Sequence, residues 1–209
     1  MSVPDRSIDP RMLSAAKEVF LRAGFEKASL AEICREAGVT TGALYKRYKG
    51  KEELFCALVS DTLRDMNKYT AEIEKADLSK CTDQELYDGF SMTPESILQW
   101  MRILYEHRDG FTLLIRCAAG TRYGNFHHDW AARMNVLDYK YYREAFRRGM
   151  TDKELTQQEM HIFTSALWTL YYEPFYHDFT WEQIIQHTEY MHSFIDWHRL
   201  LGMKAPGAG

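Results

Sequence analysis

The residues from Thr40 to Lys51, TTGALYKRYKGK, set small and hydroxyl-bearing side chains beside a cluster of cations. Small residues let a backbone approach another surface closely, while hydroxyls make hydrogen bonds and lysine and arginine neutralise phosphate. A DNA major groove is a surface of that shape and charge. At helical spacing Leu44 and Tyr48 share an inward face, and Thr41 and Tyr45 share a neighbouring one. On this reading Thr40, Thr41, Gly42, Ala43, Tyr45 and Lys46 meet bases or nearby backbone, while Ser29, Arg47, Lys49 and Lys51 position phosphates. A helix cap explains Thr-Thr-Gly equally well by itself, and a solvated face explains the lysines. Their combination at this spacing favours DNA.

Those residues need helices to hold them. Ser29 and Glu32 have the spacing of a capping box, so a helix starts at Leu30. Gly38 can close it in a left-handed conformation, with Val39 folding back on Cys34 in a Schellman ending near Ala37. Thr40 or Thr41 then caps a short helix that runs to about Tyr48. Upstream, Asp9-Pro10 supplies a cap and an N1 proline ahead of the apolar positions Leu13, Ala16, Phe20 and Ala23, and Gly24 ends that helix. After Gly50, Glu52 and Glu53 suit the first turn of a longer helix carrying Leu54, Leu58, Val59, Leu63 and Met66. The pattern is a helix-turn-helix domain over residues 1–50 and a connecting helix over about 51–74, followed by a helical domain over 75–209.

This combination resembles the tetracycline-repressor (TetR) family of bacterial transcriptional regulators. The matching residues are Phe20, Gly24-Phe25, Ser29, Ile33, Ala37-Gly38-Val39-Thr40, Gly42, Leu44-Tyr45, Tyr48 and Lys51-Glu52, about the first quarter of the chain. Arg47 stands where the family often has His or Tyr, and Gly50 where it often has Ser or Asn. The resemblance implies an all-α homodimer, with an N-terminal DNA-reading domain and a variable C-terminal domain that binds a small-molecule effector and dimerises.

Composition agrees. The net charge is –4, yet Met1–Phe55 has ten basic and eight acidic residues, or +2, against –6 for the remainder. Five of six charges within Arg35–Lys51 are positive, so the basic charge is concentrated where phosphate would lie. No apolar run approaches a membrane span, and Met1–Arg11 lacks the apolar core of a signal peptide, which points to a cytoplasmic protein without a membrane partner. The four cysteines show no CxxC pair, and the eight histidines include no HExxH, so no metal site is expected. GxSxG, P-loop and GxGxxG motifs are absent, and neither a cofactor nor enzymatic activity is expected.

The C-terminal half reads as helical throughout. Lys75–Gln84 reads as a connection, Thr93-Pro94-Glu95 starts a helix, and Asp109-Gly110 interrupts it. A long helix covers Phe126–Met150, and capping boxes at Thr156/Glu159 and Thr180/Gln183 start two more. The last of these carries two apolar lines, one of Ile184, Met191 and Ile195, the other of Tyr190, Phe194, Trp197 and Leu201. Either it is central in its own core or the second line packs on a partner. The resemblance favours a partner, with Phe163, Leu167, Tyr190, Phe194, Trp197 and Leu201 at a dimer interface. It also places an effector pocket between about Trp100 and His177. The aromatic candidates are Trp100, Tyr105, Phe111, Trp130, Tyr139, Trp168, Tyr172 and Tyr176, suited to an apolar or aromatic effector, including a cation stacked on rings.

The expectation is therefore a ligand-released, homodimeric repressor of a near-palindromic DNA operator. The alternative is a helical small-molecule-binding or enzymatic domain whose helix-turn-helix does not read DNA.

Overall fold

The computed structural model describes residues 8–207, the Ile8 and Glu72 side chains excepted. Every regular element among them is helical: α1 (Ile8–Lys27), α2 (Leu30–Ala37), α3 (Thr41–Tyr45), α4 (Lys51–Lys75), α5 (Asp83–Asp88), α6 (Pro94–Glu106), α7 (Arg108–Thr112), α8 (Phe126–Arg147), α9 (Gln157–Tyr176), α10 (Trp181–Phe194) and α11 (Trp197–Leu201). Leu78–Lys80 forms a 3₁₀ turn, and Leu113–Cys117 winds as a π-helix after α7. The signal-peptide reading of Met1–Arg11 rests largely on residues 1–7, which lie outside the described residues. No helix of the described residues is long and apolar enough to cross a membrane.

The described residues fold as two compact units, one running up to Asp65 with His107–Phe126, the other of Met66–Glu106 with His127 onward. This corrects the single boundary near residue 75. The reason is burial: Phe111, Leu113, Leu114, Ile115 and Cys117 are almost wholly covered, and the segment Leu113–Cys117 packs along α1.

In the N-terminal unit, Met12, Ala16, Val19 and Phe20 of α1 meet Ile33, Leu44, Leu54, Phe55 and Val59 in one buried set. The rings of Phe20, Phe25 and Phe55 form a triangle with centroids 5.3–5.8 Å apart, and the two edge contacts made by Phe55 add to simple area burial. Gly24 interrupts α1 at φ 72°, and the chain turns through Phe25 before α2. Helix α1 already includes Asp9, which lies in its first turn rather than capping it.

Gly110 has a different role from the helix break expected of it. It is buried inside α7, and a Cβ there would lie 2.1 Å from Thr62 Oγ1 and 3.4 Å from the Leu58 carbonyl oxygen. Glycine is needed because α4 passes too close for any side chain.

In the second unit α6 packs on α10. Three capping boxes start its helices, at Thr82/Glu85, Thr156/Glu159 and Thr180/Gln183. The first makes α5 out of part of the expected connection Lys75–Gln84. Tyr142 is fully buried; its hydroxyl donates to Lys153 O and accepts from Leu155 N, both at 2.6 Å, pinning the α8–α9 loop.

The expected last helix is two helices. Ile195 is extended (φ –114°, ψ 114°), and Asp196 caps α11 by accepting from Arg199 N at 2.9 Å. The restart rotates the apolar register. Trp197 and Leu201 consequently pack in the chain's own core with Phe90, Tyr142 and Met160, which removes both from the expected dimer interface.

Replacing Gly110 with Ala should lower the thermal midpoint, with about 1–3 kcal/mol of overpacking only partly offset by alanine's better helix propensity. Adding Thr62→Ala should recover part of the loss. Equal unfolding midpoints for wild type and Gly110→Ala would contradict the close approach.

Candidate nucleic-acid interface and ligand cavity

The turn between α2 and α3 forms as its residues dictate. The Ser29 hydroxyl accepts from Glu32 N at 3.1 Å. Gly38 adopts φ 64°, ψ 38°, and Val39 N donates to Cys34 O at 3.0 Å while Gly38 N donates to Arg35 O at 3.2 Å. Thr40 then caps α3 by accepting from Ala43 N at 3.2 Å. The helix is shorter than expected, giving way to a turn after Tyr45. Leu44 is fully buried and Tyr45 is 56% exposed. Thr41, Gly42 and Lys46 are exposed beside it, so α3 has an anchored face and a free one.

The cations that follow have unequal tasks. Lys46 and Lys49 are exposed. The Arg47 guanidinium pairs with Asp9 of α1 at 2.5 Å and is largely covered. Lys51 Nζ donates to Glu26 O at 3.1 Å and to Ala28 O at 2.9 Å, and stands 4.4 Å above the Phe25 ring. Lys51 therefore closes the end of α1, satisfying carbonyls that the helix leaves open. Arg22 bridges α1 to α2 through Glu32 and Glu36, both at 2.8 Å.

The second unit holds a half-open cavity of about 350 Å³, within the range of small-molecule sites. Aromatic and thioether groups dominate its wall, among them Tyr69, Trp100, Met134, Trp168, Tyr171 and Trp197. Trp100 stacks on Trp130 at 6.2 Å and meets Trp168 edge-on at 5.8 Å. Asp138 of α8 opens into this space. Protein surrounds its carboxylate, which accepts from Thr164 Oγ1 at 3.1 Å, and burial pushes its pKa up to about 6. Burial chiefly, with Tyr69 and Asp138 adding, raises the Tyr171 phenol far above its usual value.

Residues 12–58 match the family model for bacterial regulatory proteins of the tetR family. These residues therefore carry a tetR-type DNA-binding domain.

Among curated relatives, the HTH-type transcriptional regulator UidR of Escherichia coli K12 is 35% identical over 65 residues, 31% of this chain and 33% of UidR. SrpR of Pseudomonas putida is 44% identical over 50 residues, 24% of each chain. The match spans about one-third or less of these relatives' length. Whole-chain likeness is to solved folds. A TetR-like regulator from Rhodococcus sp. RHA1 superposes with TM-score 0.59 at 19% identity, covering 96% of this chain and 100% of the other. NalD, the secondary repressor of a multidrug efflux pump in Pseudomonas aeruginosa, gives 0.52 at 20%, covering 89% and 94%. At such identities the likeness establishes the tetR-type fold alone.

Of the eight aromatic candidates, Trp100 and Trp168 line the cavity. Phe111 lies in the core of the other unit beside Phe126. Tyr105 packs on Trp181, Tyr172 on His127, and Trp130 behind Trp100. Tyr139 donates to Leu155 O at 3.4 Å, and Tyr176 lies exposed at the end of α9. Sequence reasoning missed Asp138, although it sits four residues after Met134 and three before Tyr141. An acid on the apolar line of α8 is a signal that periodicity alone can find.

Because the folded Asp138 holds its proton more tightly than the usual value of 3.8, ionisation opposes folding. Stability is fullest below pH 4 and falls as pH rises through about 6, by about 3 kcal/mol in total. Asp138→Asn should therefore match wild type near pH 4 and exceed it near pH 7.5 in urea unfolding. A constant difference across that range would contradict the buried, unpaired carboxylate.

Proposed function

We propose that this chain is a sequence-specific DNA-binding transcriptional regulator, a homodimeric repressor released by a small molecule. The observation that carries the reading is α3, anchored by Leu44 and presenting Thr41, Gly42, Tyr45 and Lys46 outward. A five-residue helix with small residues at its start suits close approach to base edges. The regulators it resembles support DNA reading, and the cavity supports an effector. No cofactor or catalysis is called for, and the work belongs to the cytoplasm.

Dimerisation rests on apolar side chains that the monomer leaves uncovered. Ile162 on α9 is 66% exposed, and Tyr190 and Phe194 on α10 are 62% and 78% exposed. Phe163 and Leu167 are half-buried against the core and can contribute at the rim. Two copies joined through such faces would hold two α3 helices for half-sites about one helical turn apart. An effector that favours another spacing then releases the operator.

The site assignments divide by position. Thr40, Thr41, Gly42, Ala43, Tyr45 and Lys46 meet bases or adjacent backbone. Lys49 neutralises phosphate, and Ser29, Arg47 and Lys51 hold the frame that aims them. Fluorescence anisotropy on the DNA flanking its own gene, at several salt concentrations, tests this. Lys46→Ala and Lys49→Ala should each flatten the log–log salt slope by about one. Lys51→Met should leave the slope intact and lower stability by about 1 kcal/mol. Tyr45→Ala should change sequence preference more than affinity for unrelated DNA. Equal affinity for flanking and unrelated duplexes would remove the proposal, leaving a ligand-binding helical protein.

A further inference from the structure

The cavity lining combines one acid with an apolar and aromatic wall. Asp138 reaches it from α8, and its hydrogen-bond partner is the neutral Thr164 hydroxyl. Among the described residues that bear on its charge, no Lys, Arg or His contributes. Two cations of the same helix are committed elsewhere: Arg133 Nε donates to Glu74 at 2.7 Å and Nη2 to Thr70 Oγ1 at 3.2 Å, and Lys140 Nζ donates to Ala76 O at 2.8 Å. Tyr69, Trp100, Trp168 and Tyr171 supply ring faces around the same space. A carboxylate enclosed in this way is costly until a positive charge joins it, and aromatic faces attract cations too. Trp100 adds a second demand. The residue is 4% exposed, and its indole N–H has no hydrogen-bond partner among the described residues. A buried donor left open costs free energy that a ligand acceptor atom would recover.

We propose that the cavity binds an amphipathic organic amine, its protonated nitrogen held by Asp138, its rings against Trp168, Tyr171 and Tyr69, and an acceptor atom met by Trp100. The assignment rests on the reading of the chain as an effector-responsive regulator and names the effector's class. A neutral aromatic of the same shape satisfies the wall and leaves the acid uncompensated. An organic acid meets repulsion from Asp138. Burial that favours the neutral carboxyl also predicts that binding the amine expels a proton from Asp138 near pH 6.

The test uses the full chain without DNA, so its outcome is independent of operator binding. Diphenhydramine carries two rings, an ether acceptor and a tertiary ammonium; its probe series is completed by 2-(diphenylmethoxy)ethanol and (diphenylmethoxy)acetate. Calorimetry and tryptophan quenching should show the amine binding at least tenfold more tightly than the alcohol, with the acetate weakest. Asp138→Asn should abolish the amine's advantage and leave the alcohol's affinity within twofold. Trp100→Phe should weaken amine and alcohol alike. Calorimetry at pH 6 in two buffers of different ionisation enthalpy should detect the expelled proton. The wild-type series stands even if a variant fails to fold. Equal or tighter binding of the alcohol or acetate, an unchanged amine affinity in Asp138→Asn, or no amine binding at millimolar concentration would each overturn the proposal.

Discussion

The presentation of α3 depends on one backbone turn. Gly38 sits at φ 64°, a region that side chains with a Cβ avoid, and its reversal lets Val39 N reach Cys34 O while Thr40 caps the next helix. Only three residues separate α2 from α3, so the angle between them has little freedom. That turn would orient nothing if α2 could drift. The buried set shared by α1, α2, α3 and α4, centred on the Phe20, Phe25 and Phe55 rings, holds it in place.

Charge serves the same arrangement at two levels. Arg47 and Lys51 belong to a basic run, yet each is engaged within the domain, with Asp9 and with the carbonyls closing α1. Lys46 and Lys49 project outward. A count of positive charge therefore overstates how many cations meet DNA. Within the second unit the logic reverses, because one acid lines a wall of rings and no cation among the described residues bears on its charge. The N-terminal unit engages Arg47 and Lys51 internally, whereas Asp138 has only the neutral Thr164 hydroxyl as its hydrogen-bond partner.

Features encoded by neighbours in sequence were legible. The caps at Ser29, Thr40, Thr156 and Thr180, the left-handed Gly38, and the amphipathic start of α4 all depend on contacts within five residues. What escaped depends on distant packing. Gly110 reads locally as a helix breaker, but α4 running against α7 makes it a close-approach glycine. Trp197 and Leu201 read as part of a continuous stripe because nothing in the periodicity marks the extended Ile195; Asp196 is an ordinary N-cap that passes unnoticed beside two aromatic residues. Aromatic residues are so common in this half that type alone does not separate cavity wall from core filling. Asp138 was the more discriminating signal, since an acid on an apolar face needs a reason that another ring does not.

The central claim is that α3 reads a sequence, and that two copies read it together. Selection of bound duplexes from a random pool tests both at once. The account predicts enrichment of a near-palindrome with half-sites about one helical turn apart, or a whole multiple of it. Recovery of duplexes with no shared motif, or of a single unpaired half-site, would contradict it.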